Sequence, residues 1–187
     1  MDSEIITVSL AVLILSIAIF FLVPGALQNL SFSGNLFFKG EIWRIITFNF
    51  VHIDIVHLIG NVIALLITTL LALEIGLKGE YFILLFFISS MMIALVEGIF
   101  FPALIIAGAS LGIYSVLGGV SISGRRIIPI YVFIPLIVLS IFLNQVFSDS
   151  IILLQSIFHF FGFLSGIVLY YSIIKYIGRK KALFEVE

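Results

Sequence analysis

The sequence predicts an all-α membrane protein, a bundle of six transmembrane helices in which the fourth is short and central. Three observations carry that prediction. Of the 187 residues, 63% are hydrophobic and 10% charged, against about 25% charged in a soluble domain. The apolar residues gather into uncharged runs, several of them long enough for a ~30 Å hydrocarbon core, which takes about 20 helical residues. Within one such run, ten of the seventeen residues from Gly108 to Gly124 are Gly, Ala or Ser. Small residues gain little against lipid but let neighbouring helices approach closely on several sides. That run belongs at the centre of a bundle.

The whole chain, 1–187, reads as a single membrane domain with no soluble part. It has no cysteine, which excludes disulfides, thiolate metal sites and a cysteine nucleophile. There is no basic stripe beyond a short cluster near Lys180, so no nucleic-acid partner is expected. Nor is any cofactor or metal. The expected surroundings are a lipid bilayer, and nothing in the sequence sets an oligomeric state.

Span 1 is about Ile5 to Val23, closed by Pro24 and Gly25. Asp2 and Glu4 stand where a signal peptide carries basic residues, and the apolar run exceeds a usual h-region, so it reads as a retained span. The connection 26–51 is too polar at intervals to span and too apolar to be a solvated linker. Its Phe32, Leu36, Phe37, Phe38 and Trp43 suit a loop lying in the membrane interface. Span 2 is about Ile53 to Ile75, span 3 about Tyr81 to Ile99, and span 4 about Ala109 to Ser123. Span 5 is about Ile127 to Phe147, with Pro135 inside to bend or loosen it. Span 6 is about Ile151 to Ile177.

Six spans put both termini and the connections after spans 2 and 4 on one side. That side holds Lys78, Arg125, Arg126, Lys175, Arg179, Lys180 and Lys181, against Lys39 and Arg44 on the other. The positive-inside rule makes the richer side cytoplasmic. An integral protein of the cell membrane with both termini in the cytoplasm is the expectation.

Spans 2, 4 and 6 then run from outside to inside, and depth can be counted from their cytoplasmic charges. Ser110 lies 15 residues before Arg125, about 22 Å of helix. His159 lies 16 before Lys175, about 24 Å. Asn61 lies 13 before Glu74 and 17 before Lys78, roughly 20 to 26 Å. All three share a layer some 5–10 Å (roughly) below the outer surface of a ~30 Å core. His57 sits one turn above Asn61.

Polar side chains at such depth are costly and usually face a bundle interior or a water-filled cavity. Serine and imidazole are the minimum for nucleophilic acyl transfer, the imidazole taking the hydroxyl proton and later returning it to the leaving amine. The tetrahedral intermediate needs donors aimed at its oxygen. The Asn61 amide, the His57 imidazole N–H and the backbone N–H of Ser110 are candidates. Tyr114, one turn below Ser110, is placed to brace the His159 ring. Each residue alone also has a plain structural reading: Ser110 as a small packing residue, His159 as hydrogen-bonded structure, Asn61 as interhelical glue, Gly162 and Gly166 as a helix-contact pair. The shared layer is what joins them.

These residues resemble the rhomboid intramembrane serine proteases. The resemblance runs in order along the chain: Trp43-Arg44 in the first loop; His52, His57 and Asn61 on span 2; Gly108-Ala109-Ser110 with Tyr114 on span 4; His159, Gly162 and Gly166 on the last span. It implies a rhomboid-like bundle and an endopeptidase cleaving transmembrane segments of other membrane proteins. Ser110 and His159 would be a catalytic dyad without an Asp, with His57 and Asn61 in the oxyanion hole. His52 and the Trp43-Arg44 pair would anchor the loop. The resemblance further implies a substrate gate between spans 2 and 5, with Gly60 facing Ile141 or Phe142. One departure stands out. Many members carry a second Gly directly after the serine, where this chain has Leu111. A branched side chain there is expected to shift span 4 or narrow the substrate pocket.

The other readings are a rhomboid-like protein that binds membrane helices without cutting them, and a small transporter. The transporter reading calls for acidic residues or broken helices near the midplane, whereas the acidic residues here fall near span ends. Metal-dependent proteolysis is disfavoured by the lack of a His-Glu-x-x-His segment.

Overall fold

The computed structural model of the chain describes residues 3–125, 132 and 152–184. Span 5, with Pro135, Ile141 and Phe142, therefore lies outside the described residues. The described residues form helices and turns, and the one extended pairing among them is an isolated bridge between Phe32 and Ile106. Four helices are long and apolar enough to cross a membrane, and a fifth apolar helix is shorter.

Helix α1, Ser3–Leu22, is apolar on every side, yet it buries only Ile5, Ser9, Val12 and Ser16. Their spacing of three and four residues makes one stripe, and the rest of the helix is half-buried or, as at Leu10, Ile14 and Phe21, exposed. The stripe meets α2, Ile55–Glu74, where Thr69 Oγ1 lies 2.7 Å from Ser9 Oγ and 2.7 Å from the Leu65 carbonyl. A threonine has one hydroxyl proton. Ser9 Oγ and the Leu65 carbonyl are alternative acceptors for that proton.

Between these helices the chain folds into short turns, Ala26–Leu30, Gly34–Phe37, Arg44–Thr47 and the tight Phe48–Phe50. The loop has two faces. Phe32 and Phe48 are fully buried, while Phe38, Ile42 and Trp43 are exposed. Exposed aromatic and aliphatic side chains beside a buried core suit a segment lying at a bilayer edge.

Helix α3, Gly79–Phe100, contains a wider π turn over Leu84–Ile88. Such turns interrupt α-helices mostly as single insertions. Leu85 and Phe86 in this one are fully buried, and they face the glycines of α4, Ser110–Ser123. A Cβ added at Gly112 would meet the Phe86 carbonyl oxygen at 2.8 Å, and one at Gly119 would meet Leu85 Cδ1 at 2.4 Å. On its other side α4 meets α5, Ile152–Phe184. A Cβ at Gly118 would stand 2.1 Å from the Phe163 carbonyl oxygen, and one at Gly166 would stand 1.9 Å from that of Ser115. The small residues thus set the helix spacing from both sides.

Nine of the fourteen residues of α4 are buried. Fourteen residues rise about 21 Å, less than a ~30 Å hydrocarbon core. Residues ahead of Ser110 are irregular and are held by the loop: Phe32 and Ile106 exchange backbone hydrogen bonds of 2.9 and 2.8 Å, and Gly108 N–H donates to the Phe48 carbonyl at 2.9 Å.

Candidate active site

The site starts from the backbone at the head of α4. Ala109 is the N-cap and Ser110 the first helical residue. The first intrahelical bond to Ala109 comes from Ile113 N–H, so the Ser110 N–H belongs to the four that an α-helix leaves without intrahelical partners. These groups carry the positive end of the helix dipole. Gly108 has φ +110°, a region that L side chains rarely adopt, and there is no room for one. A Cβ there would lie 2.8 Å from His57 Cε1, 2.9 Å from His57 Nε2 and 3.7 Å from Asn61 Nδ2. Glycine is required on both counts. Its smallness brings the His57 ring and the Asn61 amide to the strand-like approach of the serine.

Ser110 Oγ and His159 Nε2 are 2.8 Å apart. The His159 ring stacks on Tyr114, with centroids 4.7 Å apart and planes 15° from parallel. His159 Nδ1 is buried with no hydrogen-bond partner among the described residues. Gly162, one turn along α5 from His159, lets that helix close on α4: a Cβ there would be 3.1 Å from the Leu111 carbonyl oxygen. Gly166 repeats the contact one turn deeper. With Nε2 on the serine and the ring face fixed by Tyr114, the imidazole is aligned to exchange a proton with Oγ.

On α2, Asn61 Nδ2 donates to the His57 carbonyl at 2.9 Å, leaving the second amide proton for another acceptor. His57 Nδ1 accepts a long 3.5 Å hydrogen bond from Ile53 N–H. An acceptor at Nδ1 favours the tautomer with its proton on Nε2, the nitrogen beside Gly108. His52 packs edge-on against His57 at 5.1 Å. Burial, and then the neighbouring His57, push the His52 imidazole down to about 4, so it is neutral at pH 7.

Trp43 and Arg44 stand apart from this group, inside the loop. Arg44 is buried and donates to the Ser31 carbonyl at 2.7 Å, to the Gln28 carbonyl at 3.0 Å and to Glu41 Oε2 at 2.7 Å. Trp43 Nε1 donates to the Asn29 carbonyl at 3.3 Å. The pair ties the end of the loop back to its beginning.

Leu111, the residue after the serine, belongs to the packed core. Its side chain is buried with Phe32, Phe48, Ile106 and Phe158, under the loop. Successive helical residues point about 100° apart, so the residue after the serine faces a different neighbour from Oγ. Leu111 fills core beneath the loop.

Two further groups went unnoticed in the sequence. Asp54 caps α2, its Oδ1 accepting from His57 N–H at 2.7 Å; an Asp three residues before a helical residue is a readable N-cap signal. The Phe48 carbonyl that holds Gly108 is a backbone group, and no residue type announces it.

Comparisons with known proteins bear on the family. The model of the Rhomboid domain family matches residues 39–176, a stretch that contains every site residue named above. Mouse rhomboid-related protein 2 is 30% identical over 105 residues, 54% of this chain and 34% of that protein. The chain thus spans about a third of that relative. With most of its length matched by the family and four membrane-length apolar helices, this integral membrane protein belongs to the rhomboid family.

Proposed function

We propose that the chain is an intramembrane serine endopeptidase that cleaves transmembrane segments of other membrane proteins. The observation that carries this reading is the 2.8 Å approach of Ser110 Oγ to His159 Nε2 at the head of a buried helix. His159 takes the hydroxyl proton as Oγ attacks the scissile carbonyl carbon. The carbonyl π electrons move to oxygen, which the Ser110 N–H, His57 Nε2–H and Asn61 amide stabilise. His159 returns the proton to the departing amine, and water repeats the sequence on the acyl-enzyme. Tyr114 holds the ring between the two steps.

The surrounding architecture is proposed as a six-span rhomboid-like bundle formed by residues 1–187 as one domain, with the short α4 at its centre. It sits in the cell membrane with both termini cytoplasmic and residues 26–51 outside. The head of α4 then lies below the outer surface, within reach of water. Substrate segments enter between spans 2 and 5, past the exposed Gly60 of α2.

The test is labelling of the detergent-solubilised protein with a fluorophosphonate, together with cleavage of a single-span reporter. Wild type should label and cut. Ser110→Ala and His159→Ala should each do neither while retaining the wild-type melting profile. A folded wild type that neither labels nor cuts would instead make this a family member that binds membrane helices without cleaving them.

A further inference from the structure

We propose that Asp54 is a positioning residue, one that sets the tautomer and aim of His57 through a reciprocal cap at the start of α2. The inference rests on the protease reading for its kinetic part and on geometry alone for its structural part. Asp54 is the N-cap and His57 the third helical residue. The Asp54 carboxylate accepts from His57 N–H at 2.7 Å, and the His57 side chain turns back to accept from Ile53 N–H at 3.5 Å. In the usual capping box a Glu or Gln in the third helical position reaches back to the N-cap N–H. Here a histidine fills that position and takes the N–H one residue earlier. The consequence differs, because an imidazole that accepts at one nitrogen carries its proton on the other.

Accepting at Nδ1 commits the proton to Nε2. That nitrogen borders the space where a Cβ of Gly108 would lie, 2.9 Å away, with Asn61 Nδ2 3.7 Å from the same point. Asp54 and Ile53 are exposed and touch neither the serine nor His159, so their effect reaches the site through the ring they orient. Other titratable groups facing the ring are His52, in edge contact at 5.1 Å, and His159 across the site. Neither hydrogen-bonds His57 Nδ1. Without the cap, the first turn of α2 loses its anchor, Nδ1 loses its donor, and both tautomers become available.

The chain holds three histidines, which makes the test direct. Protein labelled with ¹⁵N-histidine is examined in micelles by ring-nitrogen NMR, with His57→Ala assigning the His57 signals. Wild type should show His57 protonated on Nε2 alone. Asp54→Ala should show mixed tautomers and lose about 10-fold in kcat at unchanged KM, part of the 10²–10³ that a whole oxyanion donor supplies. Asp54→Asn, which still caps, should restore the single tautomer and stay within about 2-fold of wild-type kcat. A single Nε2–H tautomer retained in Asp54→Ala overturns the proposal. So does an Asp54→Asn variant as impaired as Asp54→Ala, which also decides the matter if the alanine variant does not fold. A wild type that fails to cleave, but whose His57 tautomer follows residue 54, supports the cap and rejects only the protease reading.

Discussion

Helices α1 and α4 are both apolar, yet they are built on opposite principles. α1 has twenty residues and buries four; α4 has fourteen and buries nine. The first is Leu, Ile and Phe with two buried serines, and most of its surface belongs to lipid. The second is half Gly and Ser, with branched residues and Tyr114 making up the other half, and most of it is buried in protein. Where the neighbour is lipid, any apolar side chain of roughly the right size serves. Where the neighbour is another backbone, the absence of a side chain is the requirement, because packing contacts drive helix association in a bilayer. The proposed chemistry sits on the second kind of helix, where backbone packs directly on backbone.

The hardest break in this contrast comes at the α4–α5 seam. Gly166→Val would drive Cβ to 1.9 Å from the Ser115 carbonyl oxygen, and backbone cannot yield there as a side chain can. Loss of both folded yield and reporter cleavage is expected, well beyond the ~1–3 kcal/mol of ordinary overpacking. Recovery of wild-type folded yield would show that the two helices have room to part.

Next in size is Leu111→Ala. It empties the cluster beneath the loop and should cost about 2–5 kcal/mol in detergent denaturation. Its residue preference at the cleaved position should stay the same, because the side chain is buried in the cluster beneath the loop. A stable variant with broadened preference would put Leu111 back in the pocket.

A smaller effect belongs to the α1–α2 contact. Thr69→Val removes the hydroxyl between Ser9 and Leu65, and interhelical hydrogen bonds in membranes average about 0.6 kcal/mol and reach about 1.7. Thermal unfolding should register a shift of that order with cleavage retained.

Smallest of all is Ile14→Ala on the exposed side of α1. Expected stability lies within about 0.5 kcal/mol of wild type, as for surface sites elsewhere. A loss as large as that of Leu111→Ala would mean that another segment covers this face.

Hydropathy and spacing alone determined where most helices run. The expected spans near 5–23, 53–75, 81–99 and 109–123 lie within two residues of α1 to α4 at either end, the usual uncertainty of helix boundaries, whereas α5 runs seven residues past the expected end at Ile177. They are legible because a bilayer imposes one length and one polarity on whatever crosses it. The expectation that Ser110, Asn61 and His159 share one depth also follows from the chain itself, since the rise per residue is fixed. Depth leaves azimuth open. Tertiary structure alone decided that Leu111 turns under the loop, that Tyr114 meets His159 by stacking face-on rather than edge-on, and that His57 offers Nε2 to Gly108. It also decided that Phe32 and Phe48 hold the approach to the serine by their backbone groups. The reason is physical: rise along a helix is a local property written in each residue. Rotation about the helix and the partners of a loop carbonyl depend on atoms tens of residues away.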